Sequence, residues 1–137
     1  MSDRVFLDTN LWVYFFVKNP PEKEEKIREL VESQALSIIV SIQVLGELCN
    51  VLIRKTTFSQ SETQAAVLDL VNTFSVLAID TSTVLNALEI HARYGYSYWD
   101  SLIIATALQS NCSILYSEDM QHDQLIEDKL RIINPLI

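Results

Sequence analysis

Short apolar runs alternate with longer segments of helical periodicity along nearly the whole chain, and this alternation predicts an α/β sandwich with a mostly parallel central sheet of about five strands. Two compositional facts support it. The 137 residues are 49% hydrophobic with only two glycines and three prolines, so residues 1–137 are expected to form a single domain around one core. No low-complexity tract or repeat period leaves room for a linker.

The elements follow in order. Val5-Phe6-Leu7 reads as a short buried strand. Asp8, Thr9 and Asn10 are residue types that cap helices, and a helix is expected over Leu11–Val17. A second helix, Glu22–Gln34, follows Pro20-Pro21 and carries Ile27, Leu30 and Val31 on one stripe. Ala35–Val40 is β-branched and bounded by polar residues, so it reads as the second strand; strand, helices and strand imply a parallel crossover. Ser41 caps a helix to about Lys55, Ser59 or Ser61 opens another to about Phe74, and Ser75–Ile79 is a third strand. Helices from Thr81 to about Tyr94 and from Tyr98 to about Ser110 lead to a fourth strand, Cys112–Tyr116, with Leu130–Ile133 the fifth.

Composition excludes several classes of function. No apolar stretch is long enough to span a membrane and the N-terminus lacks a signal-peptide pattern, so a cytoplasmic protein is expected. Cys49 and Cys112 sit in apolar surroundings without C-x-x-C spacing, which disfavours a disulfide framework or a zinc site and predicts reduced core thiols. The formal net charge of −8 argues against an unaided electrostatic grip on nucleic acid, unless carboxylates gathered around divalent cations cancel part of it. Arg4, Lys18, Arg54, Lys55 and Arg93 are scattered, and the fold must decide whether they line one groove.

The acids carry the functional argument. Ligands bind open α/β sheets at the carboxyl ends of strands, near a switch in strand order. Asp8 ends the first strand and Asp119 lies just beyond the fourth, so both face one crevice if those strands are neighbours. Glu47 interrupts the apolar stripe of Val44, Leu48 and Val51, and Gly46 beside it leaves room for a backbone or ligand to approach. Asp100 shares a face with Ile103, Ile104 and Ala107, at the head of a helix made slim by Ala105, Thr106 and Ala107. Each acid also has an ordinary reading, as a cap, an edge side chain reaching water, or a first-turn charge. Gathered together, they lack basic partners within their own motifs, and two carboxylates about 4 Å apart repel by roughly 4 kcal/mol at the effective dielectric of a protein site. Oxygen-only ligands around an open crevice favour Mg²⁺ or Mn²⁺ over zinc and suit activation of a water for attack on a phosphodiester.

In chain order, FLDTN, the S-x-x-V-x-x-E-L of Ser41 to Leu48, the DSLIIATA of Asp100 to Ala107 and the LYSED of Leu115 to Asp119 resemble the motifs of the PIN domain, and specifically of the VapC-like ribonuclease toxins of type II toxin–antitoxin systems. The resemblance spans nearly the whole chain. It implies a PIN-like α/β/α sandwich and a metal-dependent endoribonuclease whose cofactor is Mg²⁺ or Mn²⁺. By motif, Asp8, Glu47, Asp100 and Asp119 take the acidic positions, with Asp8 and Asp100 foremost as metal ligands. Thr9, Asn10 and Ser117 fall where the family places small polar residues that hold the acids or contact phosphate. An RNA substrate, a homodimer and a cognate antitoxin that inserts a segment into the active-site groove are implied as well. Gln121 departs from the pattern, standing where many relatives carry a further Asp; Glu118 is the nearest extra carboxylate, so the number of metals is left open. His122 and Asp123 are read as surface or capping residues.

Other classes compete. A phosphoacceptor module also uses strand-end acids with Mg²⁺, but it wants paired acids after the first strand and a Lys after the last, where this chain has Arg131 and Asn134. A haloacid-dehalogenase-like phosphatase wants a second Asp where Asn10 stands. The aromatic segment from Leu11 and Trp12 through Tyr14, Phe15 and Phe16 suits a non-catalytic nucleic-acid- or protein-binding module on the same fold, although such aromatics more often fill a core.

Overall fold

A computed structural model describes residues 3–137. The chain runs β1 (Arg4–Leu7), α1 (Thr9–Val17), α2 (Pro21–Gln34), β2 (Ile38–Ser41), α3 (Ile42–Lys55), α4 (Gln60–Thr73), β3 (Ser75–Leu77), α5 (Thr81–Tyr94), α6 (Tyr98–Gln109), β4 (Cys112–Tyr116), β5 (Leu125–Ile126) and β6 (Leu130–Ile133). Its strands form one sheet in the order β3-β2-β1-β4-β6-β5, parallel except for the β5–β6 pair. The order runs outward in both directions from β1 and β4, which are neighbours, so the switch point lies between them.

β1 is buried on both faces. Val5, Phe6 and Leu7 point alternately to opposite sides of the sheet, and all three are excluded from solvent. A strand covered on both sides needs an apolar residue at every position, which is why β1 and β2 read as continuous runs rather than alternating ones. Leu11 and Trp12 of α1, Ile27 of α2 and Val44, Leu48 and Leu52 of α3 complete the same core. α6 is buried continuously from Ser101 to Ala107; its residues there are apolar apart from Ser101 and Thr106, whose hydroxyls donate to the Tyr96 and Leu102 carbonyls. Tyr14, Phe15 and Phe16 are half-buried against this core.

Local chemistry sets the boundaries. Ser41 ends β2 and caps α3 by accepting from the Val44 N–H, Ser59 forms a capping box with Glu62 at the start of α4, and Asp80 caps α5. Gly95 closes α5 at φ +80°, a left-handed turn that a side chain would strain. No helix among the described residues is long and apolar enough to cross a membrane.

Some expected boundaries move. The sheet has six strands rather than about five. The added strand, β5, forms a short antiparallel hairpin with β6, turning at Glu127 and Asp128 with both residues at positive φ. No glycine marks that turn; Arg93 and Tyr94 hold the Glu127 carboxylate instead, an interaction invisible to local sequence. The second strand begins at Ile38 rather than Ala35, because Ala35–Ser37 close a turn in which the Ser37 N–H donates to the Gln34 carbonyl and Leu36 points fully into solvent. β3 stops at Leu77, short of Ile79, where the chain departs toward the Asp80 cap.

Candidate active site

The neighbouring carboxyl ends of β1 and β4 bring the first and last acids together. The Asp8 N–H donates to the Tyr116 carbonyl at 2.9 Å, continuing the strand pairing by one residue before α1 begins. One Asp8 oxygen accepts from the Thr9 N–H and the other from the Ser117 hydroxyl, each at 2.8 Å. Asp8 therefore caps α1 while remaining a buried carboxylate, only 7% exposed. Ser117, fully buried, also accepts from the Asp119 N–H at 3.2 Å, and Asn10 Nδ2 donates to Asp119 Oδ2 at 2.9 Å. Asp119 itself stands exposed at the rim.

Two helices supply the remaining acids. Glu47, half-buried on α3, accepts from Thr9 Oγ1 at 2.5 Å through Oε1 and from Gln43 Nε2 at 3.2 Å through Oε2. Asp100, half-buried, lies in the first turn of α6 behind the Ser97 cap. All four acids line one cleft of about 440 Å³, together with Thr9, Asn10, Tyr14, Asn50 and Lys55. Thr9, Asn10 and Ser117 thus touch the acids they were expected to hold, Ser117 from beneath the cleft floor.

Electrostatics set this cleft apart. Burial pushes the Asp8 carboxyl up to about 6; the Ser117 and Thr9 hydrogen bonds work against that rise, while the charges of Asp100 and Glu47 add to it. Asp100 is also raised, first by burial and then by the charges of Asp119 and Glu47. None of the four acids is ion-paired among the described residues. Buried, mutually repelling carboxylates require protons or a cation. The donors are all hard oxygens, which fits Mg²⁺ or Mn²⁺. Among the described residues no three acidic, His or Cys side chains form a ready-made cage, and Mg²⁺ is commonly held by one or two carboxylates with water in its other positions.

The neighbouring polar residues have other partners. Glu118 is taken by Lys23 at 2.7 Å and by the Tyr14 hydroxyl at 2.5 Å; burial opposes its ionisation, but these two contacts hold its carboxyl below the ordinary range. His122 Nδ1 accepts from the Asn134 N–H, and Asp123 pairs with Arg131, so both tie the C-terminal strand region rather than the cleft. Of the scattered cations, Lys55 alone lines the cleft. Arg4 donates to the Ser110 carbonyl near the opposite end of the sheet, Arg93 is paired with Glu127, and Arg54 and Lys18 are exposed elsewhere. A Cβ added at Gly46 meets nothing within 4 Å, so no other backbone packs closely against it. Cys112 is buried, with its thiol pushed up to about 12 by that burial, whereas Cys49 is only half-buried; both are free.

The most informative residue missed by sequence is Gln43. Its Nε2 bridges Glu47 and the Trp99 carbonyl at 3.1 Å. The i, i+4 relation to Glu47 was readable along α3; the contact with α6 had no local signal.

Comparisons with known proteins agree with this architecture. The PIN domain family profile matches residues 5–127. Among solved structures, the VapC20 toxin of Mycobacterium tuberculosis, described as cleaving the sarcin-ricin loop, superposes with a TM-score of 0.71 at 20% identity, over 84% of this chain and 91% of that one. A toxin–antitoxin complex from Klebsiella pneumoniae gives 0.74 at 16% identity, over 96% and 97% of the two chains. DNA-bound VapBC from Salmonella typhimurium gives 0.73 at 22% identity, over 96% and 97%. No curated protein is matched by sequence.

The raised carboxyl of Asp8 gives stability a pH dependence of definite sign. The folded state holds this proton more tightly than the unfolded chain does. As pH rises from the ordinary 3.8 through about 6, the group therefore destabilises the metal-free fold, by about 3 kcal/mol once fully ionised. Asp8→Asn should match wild type in EDTA at pH 4 and exceed its stability at pH 7, as read from urea denaturation. An equal difference between the two proteins at both pH values would contradict the assignment.

Proposed function

Because the chain belongs to the PIN-domain family, we propose that it is a metal-dependent endoribonuclease with Mg²⁺ or Mn²⁺ as its cofactor, acting as the toxin of a toxin–antitoxin pair. The observation that carries this reading is the convergence of Asp8, Glu47, Asp100 and Asp119, from four separate elements, on one cleft without ion-pair partners among the described residues.

Asp8 and Asp100 are the principal metal ligands, with Glu47 and Asp119 completing the acidic set. When bound, the cation supplies Lewis-acid chemistry: a more acidic water as nucleophile and neutralisation of charge on the phosphodiester. The protein supplies orientation. Ser117 and the Thr9 N–H fix the two oxygens of Asp8, the Thr9 hydroxyl fixes Glu47, and Asn10 holds Asp119 at the rim. Lys55 places one positive charge on the cleft wall for a backbone phosphate. Trp99, 62% exposed and adjacent to Asp100, offers an aromatic face on which an unstacked base can lie.

The toxin–antitoxin complexes among the solved relatives support a cognate antitoxin as partner. A homodimer and a cytoplasmic location, where RNA substrates are found, belong to the same reading.

Two experiments test it. Purified protein should cut RNA with Mg²⁺ or Mn²⁺ and stop in EDTA, while Asp8→Asn and Asp100→Asn should lower the rate by roughly two orders of magnitude or more. Full cleavage in EDTA, or hydrolysis confined to phosphomonoesters, would contradict it. Separately, Lys55→Ala should weaken RNA binding and lower the salt slope by about one, whereas Arg54→Ala, outside the cleft, should change both less. The reverse ranking in salt-dependent binding curves would remove Lys55 from the phosphate path.

A further inference from the structure

Three of the acids share a network of hydrogen-bonded supports, and the fourth joins it at one place. Ser117 links Asp8 to Asp119, and Thr9, which caps onto Asp8, donates to Glu47. Asp100 has no hydrogen bond to its carboxylate from any other element among the described residues; its position is set by the backbone of α6. The link from that backbone to the other acids is Gln43. One turn before Glu47 on α3, its Nε2 donates to Glu47 Oε2 at 3.2 Å and to the Trp99 carbonyl at 3.1 Å, immediately before Asp100.

α3 and α6 share one core through Val44, Leu48 and Leu52 on one side and Ile103, Ile104 and Ala107 on the other, and the Gln43 amide adds a polar tie between their site-facing ends. Oε1 of the same amide accepts no hydrogen bond among the described residues. Turning the amide over would set Oε1 against two acceptors, so the observed orientation is the one its partners allow.

We infer that Gln43 is a positioning residue for the metal ligands: one Nε2 hydrogen holds Glu47, the other holds the head of α6, and together they set the separation at which Glu47 and Asp100 serve one cation. The inference rests on the metal-site reading above and adds to it a residue that touches neither cation nor substrate.

Gln43→Met preserves side-chain length while removing both donors and the orphaned acceptor. Thermal melting of the full chain without RNA, titrated with Mg²⁺ and with Mn²⁺, should show a metal-free midpoint equal to or above that of wild type. The metal dissociation constant should be weakened about tenfold to a hundredfold, as for other partners of metal ligands. In the cleavage assay the half-saturating Mg²⁺ concentration should rise in parallel, with KM for RNA unchanged at saturating metal. Gln43→Asn keeps the amide but falls one methylene short of the bridge, so it should share the weakening and decides the matter if the Met variant fails to fold. An unchanged metal response in the variants overturns the inference, as does a lowered metal-free midpoint with unaltered metal affinity. A wild-type protein that responds to neither metal contradicts the metal-site reading and the inference together. Wild-type metal binding without RNA cleavage contradicts the nuclease reading alone.

Discussion

The site depends on keeping one carboxylate out of water at the end of β1. Asp8 is held there because β1 is covered on both faces and pairs with β4, whose carboxyl end carries Ser117 and, beyond it, Asp119. Hydrogen bonds from Ser117 and the Thr9 N–H satisfy both Asp8 oxygens but do not cancel the cost of burial, and its carboxyl remains raised to about 6. The same side chain caps α1, so fold and chemistry meet in one residue. Capping therefore does not remove Asp8 from the cleft: one oxygen meets the helix N-terminus, the other is held from below by Ser117, and the carboxylate still lines the cleft.

Charge is sorted around this centre. Several carboxylates outside the cleft have cationic partners: Glu118 has Lys23, Asp123 has Arg131 and, at the far end of the sheet, Glu127 has Arg93. Of the four cleft acids, Asp8, Glu47 and Asp119 are left to neutral donors, which orient carboxylates without neutralising them. That division separates ion-paired acids from the unpaired acids of the cleft more sharply than sequence position does. Glu118 and Asp119 are adjacent in sequence, yet one is clasped by Lys23 and Tyr14 while the other faces the cleft.

Much of this was legible in the sequence, for physical reasons. Buried parallel strands must be continuously apolar, so Val5–Leu7 and Cys112–Tyr116 stood out, and an acid that ends such a strand is conspicuous. Glu47 and Asp100 were readable because helical periodicity places each on an otherwise apolar face. The β5–β6 hairpin was hidden because its turn uses Glu127 and Asp128 in left-handed conformations without glycine, stabilised by side chains more than thirty residues away. Gln43 shows the same limit in the site: its contact with the Trp99 carbonyl comes from how α3 meets the head of α6, which pattern along one helix does not encode.

Calorimetric titration of Mg²⁺ or Mn²⁺ into the metal-free protein near pH 6 tests whether the Asp8-centred acids form a divalent-cation site. Saturable binding is expected, with a heat that depends on the buffer, because cation binding displaces the proton that burial retains on Asp8. In Asp8→Asn both the binding and the buffer dependence should largely disappear. Absence of saturable binding to the wild-type protein, or equal binding by the Asp8→Asn variant, would contradict the claim.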